Sequence, residues 1–240
     1  MKNNRRSFLK GAGVALGVAG GASLPVTTAL AQTATTSPSA DTVQPVIPGY
    51  QSLSLEESAI TEAMVEHMWP ADDLGPSGVD IGIATFIDRQ LAGGFGRGDR
   101  LYSSGPFRQG KPQHGYQLPL TPEQYYKLGI AGLNAYSKLQ HGKTFDRLAN
   151  AERESVLTAV AAGDANTPEL NLASWFNELF YPLFNQGAFS DPIYGGNRDK
   201  AGWKLIGYPG LPAVYNRDIL TYRNQRNPKS DAPKSIQDLS

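Results

Sequence analysis

Between residues 52 and 189, apolar side chains return every three to four positions in several separate stretches, a spacing that predicts amphipathic helices. In the first, Ile60, Ala63, Met64 and Met68 follow Ser54 and Glu57, which are spaced as a capping box, and Trp69-Pro70 closes it. In the second, Ile83, Phe86, Ile87 and Leu91 follow Ser77 as the cap, with Gly93-Gly94 as the stop. Thr121-Pro122-Glu123-Gln124 opens a third: Thr as cap, Pro at the first helical position, and Gln to complete the box. That helix runs through Tyr125, Leu128, Ala131, Tyr136 and Leu139 to Gly142. Asn150 is expected to cap a fourth, with Val156, Leu157 and Val160 on its face and Gly163 at its end. The run Leu172–Leu183, with Trp175, Phe176, Leu179 and Phe180, is apolar on most faces, which places it centrally or against a partner. No strand-like alternation and no repeat interrupts this pattern. The fold class is therefore all-α: a small irregular helical domain with long ordered loops rich in Gly, Pro and aromatic residues.

The loops have a composition of their own. Residues 93–119 hold ten glycines and prolines, yet also Phe95, Tyr102, Phe107 and Tyr116. A disordered linker is poor in aromatic residues, so this is expected to be an ordered loop whose function is contact. A second such stretch runs from Asp191 to Gly210 and includes Tyr194, Gly195-Gly196-Asn197, Trp203 and Tyr208. Large rigid aromatic side chains make good anchors at interfaces. Tyr102, Phe107, Tyr194, Asn197, Trp203 and Tyr208 are accordingly the expected partner contacts. Trp203 stands equally as a partner anchor and as part of the domain's own core; as an anchor, its loss would weaken partner binding more than it weakens the isolated chain.

The N-terminus has a different grammar. Arg5-Arg6-Ser7-Phe8-Leu9-Lys10 precedes a weakly apolar Gly/Ala run to Leu24, and Ala29-Leu30-Ala31 offers a small-residue cleavage site before Gln32. This order resembles a twin-arginine export signal, with Arg5, Arg6, Phe8 and Leu9 as its core and Ala29, Ala31 and Gln32 at the cut. The apolar run is shorter than the roughly 20 residues of a spanning helix and is broken by Pro25. The expected organisation is a signal over 1–31, a Thr/Ser/Ala/Pro linker over 32–51, the helical domain over 52–221 and a loose polar tail over 222–240. The whole chain balances 22 basic against 22 acidic side chains, but removing the signal leaves 18 against 22, a formal charge of −4. A mildly acidic body does not suit nucleic acid, which needs a basic face.

Candidate chemistry is sparse. With no cysteine there is no disulfide, thiolate metal site or covalently attached haem. His67, His114 and His141 lack metal-ligand spacing, and Asp72-Asp73 lacks the acidic alternation of a calcium loop. Gly93-Gly94-Phe95-Gly96-Arg97-Gly98 follows a helix instead of preceding one, so it is no phosphate cradle. No nucleophile elbow and no dinucleotide fingerprint occurs in the body of the chain. No catalytic, cofactor-binding or metal residue is therefore expected.

Four motifs in order, Pro70-Ala71-Asp72-Asp73-Leu74-Gly75-Pro76, Phe86-Ile87-Asp88-Arg89-Gln90-Leu91-Ala92-Gly93, Tyr102-Ser103-Ser104-Gly105-Pro106-Phe107, and Asp191-Pro192-Ile193-Tyr194-Gly195-Gly196-Asn197 with Gly202-Trp203-Lys204, resemble the gluconate 2-dehydrogenase subunit 3 family. The resemblance covers roughly Leu55 to Gly210. It implies a periplasmic complex, membrane-associated through its other parts, in which a large FAD-containing subunit oxidises gluconate to 2-dehydrogluconate and a multihaem cytochrome c, carrying haem c, takes the electrons. The small subunit of such families is a non-catalytic escort: it carries the signal read by the twin-arginine translocase, brings the flavoprotein across and stabilises it. Small subunits of fructose, sorbitol or glucose dehydrogenases are similar, and an autonomous periplasmic oxidoreductase or a binding module are the other readings of the residues.

Overall fold

The computed structural model describes residues 49–102, 104–108, 110–111, 114–211, 214–225 and 232–239. Its described residues are helical, with no strand among them beyond two isolated bridges, and belong to one compact unit over residues 48–240. Arg5, Arg6, Phe8, Leu9, Ala29, Ala31 and Gln32, and with them the signal and most of the expected linker, lie outside the described residues. No helix among the described residues is long and apolar enough to cross a membrane.

Helix α1 spans Leu55–Met68 and begins with the expected capping box: the Glu57 N–H donates to Ser54 Oγ at 3.3 Å and the Ser54 N–H to Glu57 Oε2 at 2.8 Å. Helix α2 spans Ile83–Ala92 with Gly82 as its capping position, five residues later than Ser77 predicts. Ser77 instead closes a local turn, its hydroxyl donating to the Asp80 carboxylate at 2.8 Å. Gly82 then takes a left-handed conformation (φ 86°) that no continuous helix passes through. Gly93 ends α2 as expected, but only to redirect the chain into a single turn, α3, over Gly94–Arg97. Helix α4 spans Pro122–His141 with the second capping box in place. Helix α5 covers Asn150–Ala162, where Ala149 is the capping position and Asn150 the first helical residue; the Ala149 N–H is satisfied by Glu152 at 2.8 Å.

The apolar run is one helical rod with a fault in it. Helix α6 (Leu172–Trp175) passes through a π turn (Phe176–Phe180) into α7 (Tyr181–Phe189). Pro182 explains the fault: it has no N–H to give, and its ring crowds the carbonyl four residues back, at Glu178, inside the π turn. The rod is central. Trp175, Phe180 and Leu183 join Met64, Val65, Ile83, Ile87, Leu91, Tyr126, Leu133 and Val160 in one contiguous core. Helix α2 packs on α7, and α4 on α5, α6 and the π turn.

Two short helices complete the chain, α8 (Ala201–Ile206) and α9 (Asn216–Thr221). The C-terminal stretch 232–239, expected to be loose, is tied down. The Leu211 N–H donates to Lys234 O at 2.8 Å, the Ile236 N–H to Asp191 Oδ2 at 2.9 Å, and Lys200 Nζ to both oxygens of Asp238 at 2.9 and 2.7 Å. Its partners lie some tens of residues back in the chain, so no local pattern announces the docking.

Candidate partner-facing surface

Two regions stand out because they leave large apolar side chains in solvent. The first is the loop after α3. Tyr102 is 85% exposed, and with Leu101, Phe107 and Leu118 it lines an open cavity of about 660 Å³ that reaches Tyr116 and Glu178. Behind the same loop, Tyr116 packs against Tyr125 of α4, the rings tilted at 39° with centroids 4.4 Å apart. Burial pushes both phenols above their ordinary pKa, so neither adds charge to this face at neutral pH.

The second region is built on the segment 190–210, and here the six expected contacts divide. Tyr194 and Tyr208 are exposed, as Tyr102 and Phe107 are in the first region. Asn197 and Trp203 are not: they are spent inside the chain. Asn197, fully buried in a left-handed conformation (φ 47°), donates from Nδ2 to Ser190 O at 2.8 Å and accepts the Gly202 N–H on Oδ1 at 2.9 Å. Gly202 is required at that position, because a Cβ would overlap the carbonyl oxygen of Ala188. Trp203 lies beneath Tyr208, edge to face at 5.2 Å, and donates its indole N–H to Phe189 O. The Gly-Gly-Asn motif is thus a clasp that fixes α8 against the end of α7.

Fixing α8 in this way creates a groove that single-residue reasoning missed. With Trp203 turned inward, helical geometry sends Lys204, Leu205 and Ile206 outward. Leu205 and Ala201 face Met68, Trp69, Leu74 and Pro76 across a groove of about 510 Å³ whose polar lining is Asp72, Asp199 and Lys204. Leu74, between two turn residues and 74% exposed, is the signal that the sequence did offer. The groove joins two motifs more than 120 positions apart in the chain.

A further residue acts from behind the surface. Asp88, on the buried side of α2, receives three backbone N–H groups, from Gln51 at 2.7 Å, Ser52 at 2.8 Å and Leu53 at 2.9 Å. One carboxylate therefore anchors the point where the chain enters the domain. The histidines have mundane partners: His67 meets Glu154 at 2.7 Å, His114 Nδ1 accepts the Lys111 N–H at 3.3 Å, and His141 lies 3.8 Å from Glu152. Among the described residues no cluster of three or more His, Asp or Glu side chains suits a metal ion.

Set beside known proteins, the chain matches no curated protein and no solved structure. The family model described as gluconate 2-dehydrogenase subunit 3 matches residues 55–210, from the start of α1 through the groove and the clasp to the glycine that pairs with Lys234. That span is well over half of the chain, and the chain belongs to the gluconate 2-dehydrogenase subunit 3 family.

Proposed function

We propose that this chain is the non-catalytic small subunit of a membrane-associated, flavin-dependent dehydrogenase complex, most simply one that converts D-gluconate to 2-dehydro-D-gluconate. The chain takes a large FAD-containing subunit through the twin-arginine translocase into the periplasm and stays bound to it there, while a multihaem cytochrome c accepts the electrons. FAD and haem c belong to those partners; this chain holds no cofactor of its own.

The observation that carries the reading is the family match over residues 55–210, from α1 through α8. Two features of the molecule support it. Apolar and aromatic side chains stand exposed on ordered loops, at Tyr102, Phe107, Tyr194 and Tyr208, as an interface requires. Arg5-Arg6 precedes the domain in the order an export signal has. The test is to change Arg5 and Arg6 to Lys in cells that make the complex and to assay gluconate oxidation in the periplasmic and membrane fractions. Exported activity is expected to fall at least tenfold while the flavoprotein accumulates inside the cell; undiminished exported activity would sink the proposal.

A further inference from the structure

The groove between the turn 70–76 and α8 has a chemistry of its own. Its walls are apolar, with Trp69 and Leu74 on one side and Leu205 on the other, and its rim is charged. Asp199 makes no hydrogen bond and no ion pair with any described residue, and its carboxylate is exposed. Asp72 accepts the Leu74 N–H on Oδ1 at 2.8 Å, and its other oxygen has no partner among the described residues. Against these two carboxylates the lining offers one cation, Lys204, whose ammonium has no partner among the described residues. The rim therefore carries net negative charge above an apolar floor.

Asp199 is also held in place. It sits in a left-handed conformation (φ 57°) that a non-glycine residue adopts only when its surroundings impose it. The imposition is visible on both sides. The Arg198 N–H donates to Ile81 O at 2.9 Å and its guanidinium to Asp80 O at 2.7 Å, while Lys200 is locked to Asp238. With the backbone at Asp199 set beforehand beside an apolar groove, meeting a cation orders only the short Asp199 side chain.

We propose that this groove is a docking subsite for an extended segment of a partner protein that presents an apolar side chain next to an arginine or lysine. The apolar side chain enters between Leu74 and Leu205, and the basic one bridges Asp199 and Asp72. Asp72 and Asp199 together turn away acidic segments and so contribute to selection. The inference rests on the subunit reading in one respect, that the segment belongs to the flavoprotein. Its chemistry does not depend on that.

Two arms test it. In the first, the full chain labelled with 15N is titrated with N-acetyl-leucyl-arginine amide and, separately, with N-acetyl-leucyl-glutamate amide, each to about 10 mM, the range of a single weak subsite. Amide signals of 72–76 and 199–206 are expected to move with the first peptide, and at least tenfold less at equal concentration with the second. No movement, equal movement with both, or movement confined to other residues overturns the proposal. In the second arm, D72N/D199N, whose changes lie on exposed side chains and are checked to melt as the wild type does, is co-expressed with the flavoprotein. Complex affinity is expected to fall at least tenfold, and an unchanged affinity overturns the docking role. If the wild-type chain retains no flavoprotein at all, the subunit reading fails, while the peptide titration still decides the chemistry of the groove.

Discussion

The indole N–H of Trp203 donates to the carbonyl oxygen of Phe189 at 2.6 Å, from a side chain that is only 5% exposed. An aromatic residue reserved for a partner would have its ring in solvent and its N–H unspent. Trp203 has neither, so its first duty is to hold α8 on the end of α7. Trp203→Ala is therefore expected to destabilise the isolated chain by about 3–5 kcal/mol, the cost of emptying a buried tryptophan site. Trp203→Phe keeps most of the packing but leaves the Phe189 carbonyl without its donor, at about 1–2 kcal/mol. Urea unfolding of the purified chain measures both. A Trp203→Ala curve that overlays the wild type would return the residue to the interface.

How much of this was legible beforehand depended on the range of each interaction. Ser54 with Glu57 and Thr121 with Gln124 act over three residues, and both helix starts fall where the residues place them. Ser77 carries the same signal and starts no helix, because Gly82 is bent left-handed beside Gly195 and Arg198, far along the chain. The family and the all-α class were readable, since periodicity and ordered motifs carry them. The division of the aromatic residues was not: nothing local distinguishes Trp203, which folds inward, from Tyr208, which stays out. The groove needed the fold as well, because Leu74 and Leu205 line one groove only where the clasp at Asn197 holds α8 in place.

Asp88 offers a second test of a contact that crosses the chain. Three backbone N–H groups converge on one buried carboxylate, and removing it leaves the buried Leu53 N–H and the part-buried contacts of Gln51 and Ser52 without their acceptor. Hydrogen bonds to a charged group contribute about 1.5–3 kcal/mol each when lost singly, and they are not additive. Asp88→Ala is expected to cost about 3 kcal/mol or more. It should also raise amide hydrogen exchange at Gln51, Ser52 and Leu53 well before the rest of the domain. Protection that survives at those three amides would mean that the carboxylate does not anchor them.

Gly129 reverses a common rule. In an exposed stretch of helix, Gly→Ala stabilises by about 1 kcal/mol through the unfolded chain. At Gly129, inside α4, an added Cβ would overlap the Trp175 indole ring, which is fully buried in the core and has nowhere to move. Gly129→Ala is expected to destabilise by about 1–3 kcal/mol, as overpacking does. The sign of the shift in thermal midpoint is the measurement, and an upward shift would show that α4 and the π-faulted rod slide apart at no cost.

The docked C-terminal stretch should respond to acid in a definite direction. The Lys200 ammonium, followed by the Ser235 N–H at 2.7 Å, holds the Asp238 carboxyl below its ordinary value of 3.8. A carboxyl whose folded pKa is depressed contributes stability above the unfolded value and loses it as pH falls through the folded one. Docking of 232–239 is therefore expected to be intact at pH 6 and to weaken only as pH drops below about 3.8. Asp238→Asn should bring the same release to neutral pH. Protection factors at the amides of Leu211, Lys234 and Ile236 report it, since each donates across the docked contact: Leu211 to Lys234 O, Lys234 to Pro209 O and Ile236 to Asp191 Oδ2. If Asp238→Asn leaves those three factors unchanged at pH 6, the ion pair with Lys200 is incidental, and the backbone bridge between Gly210 and Lys234 holds the stretch together with the Ile236 bond to Asp191.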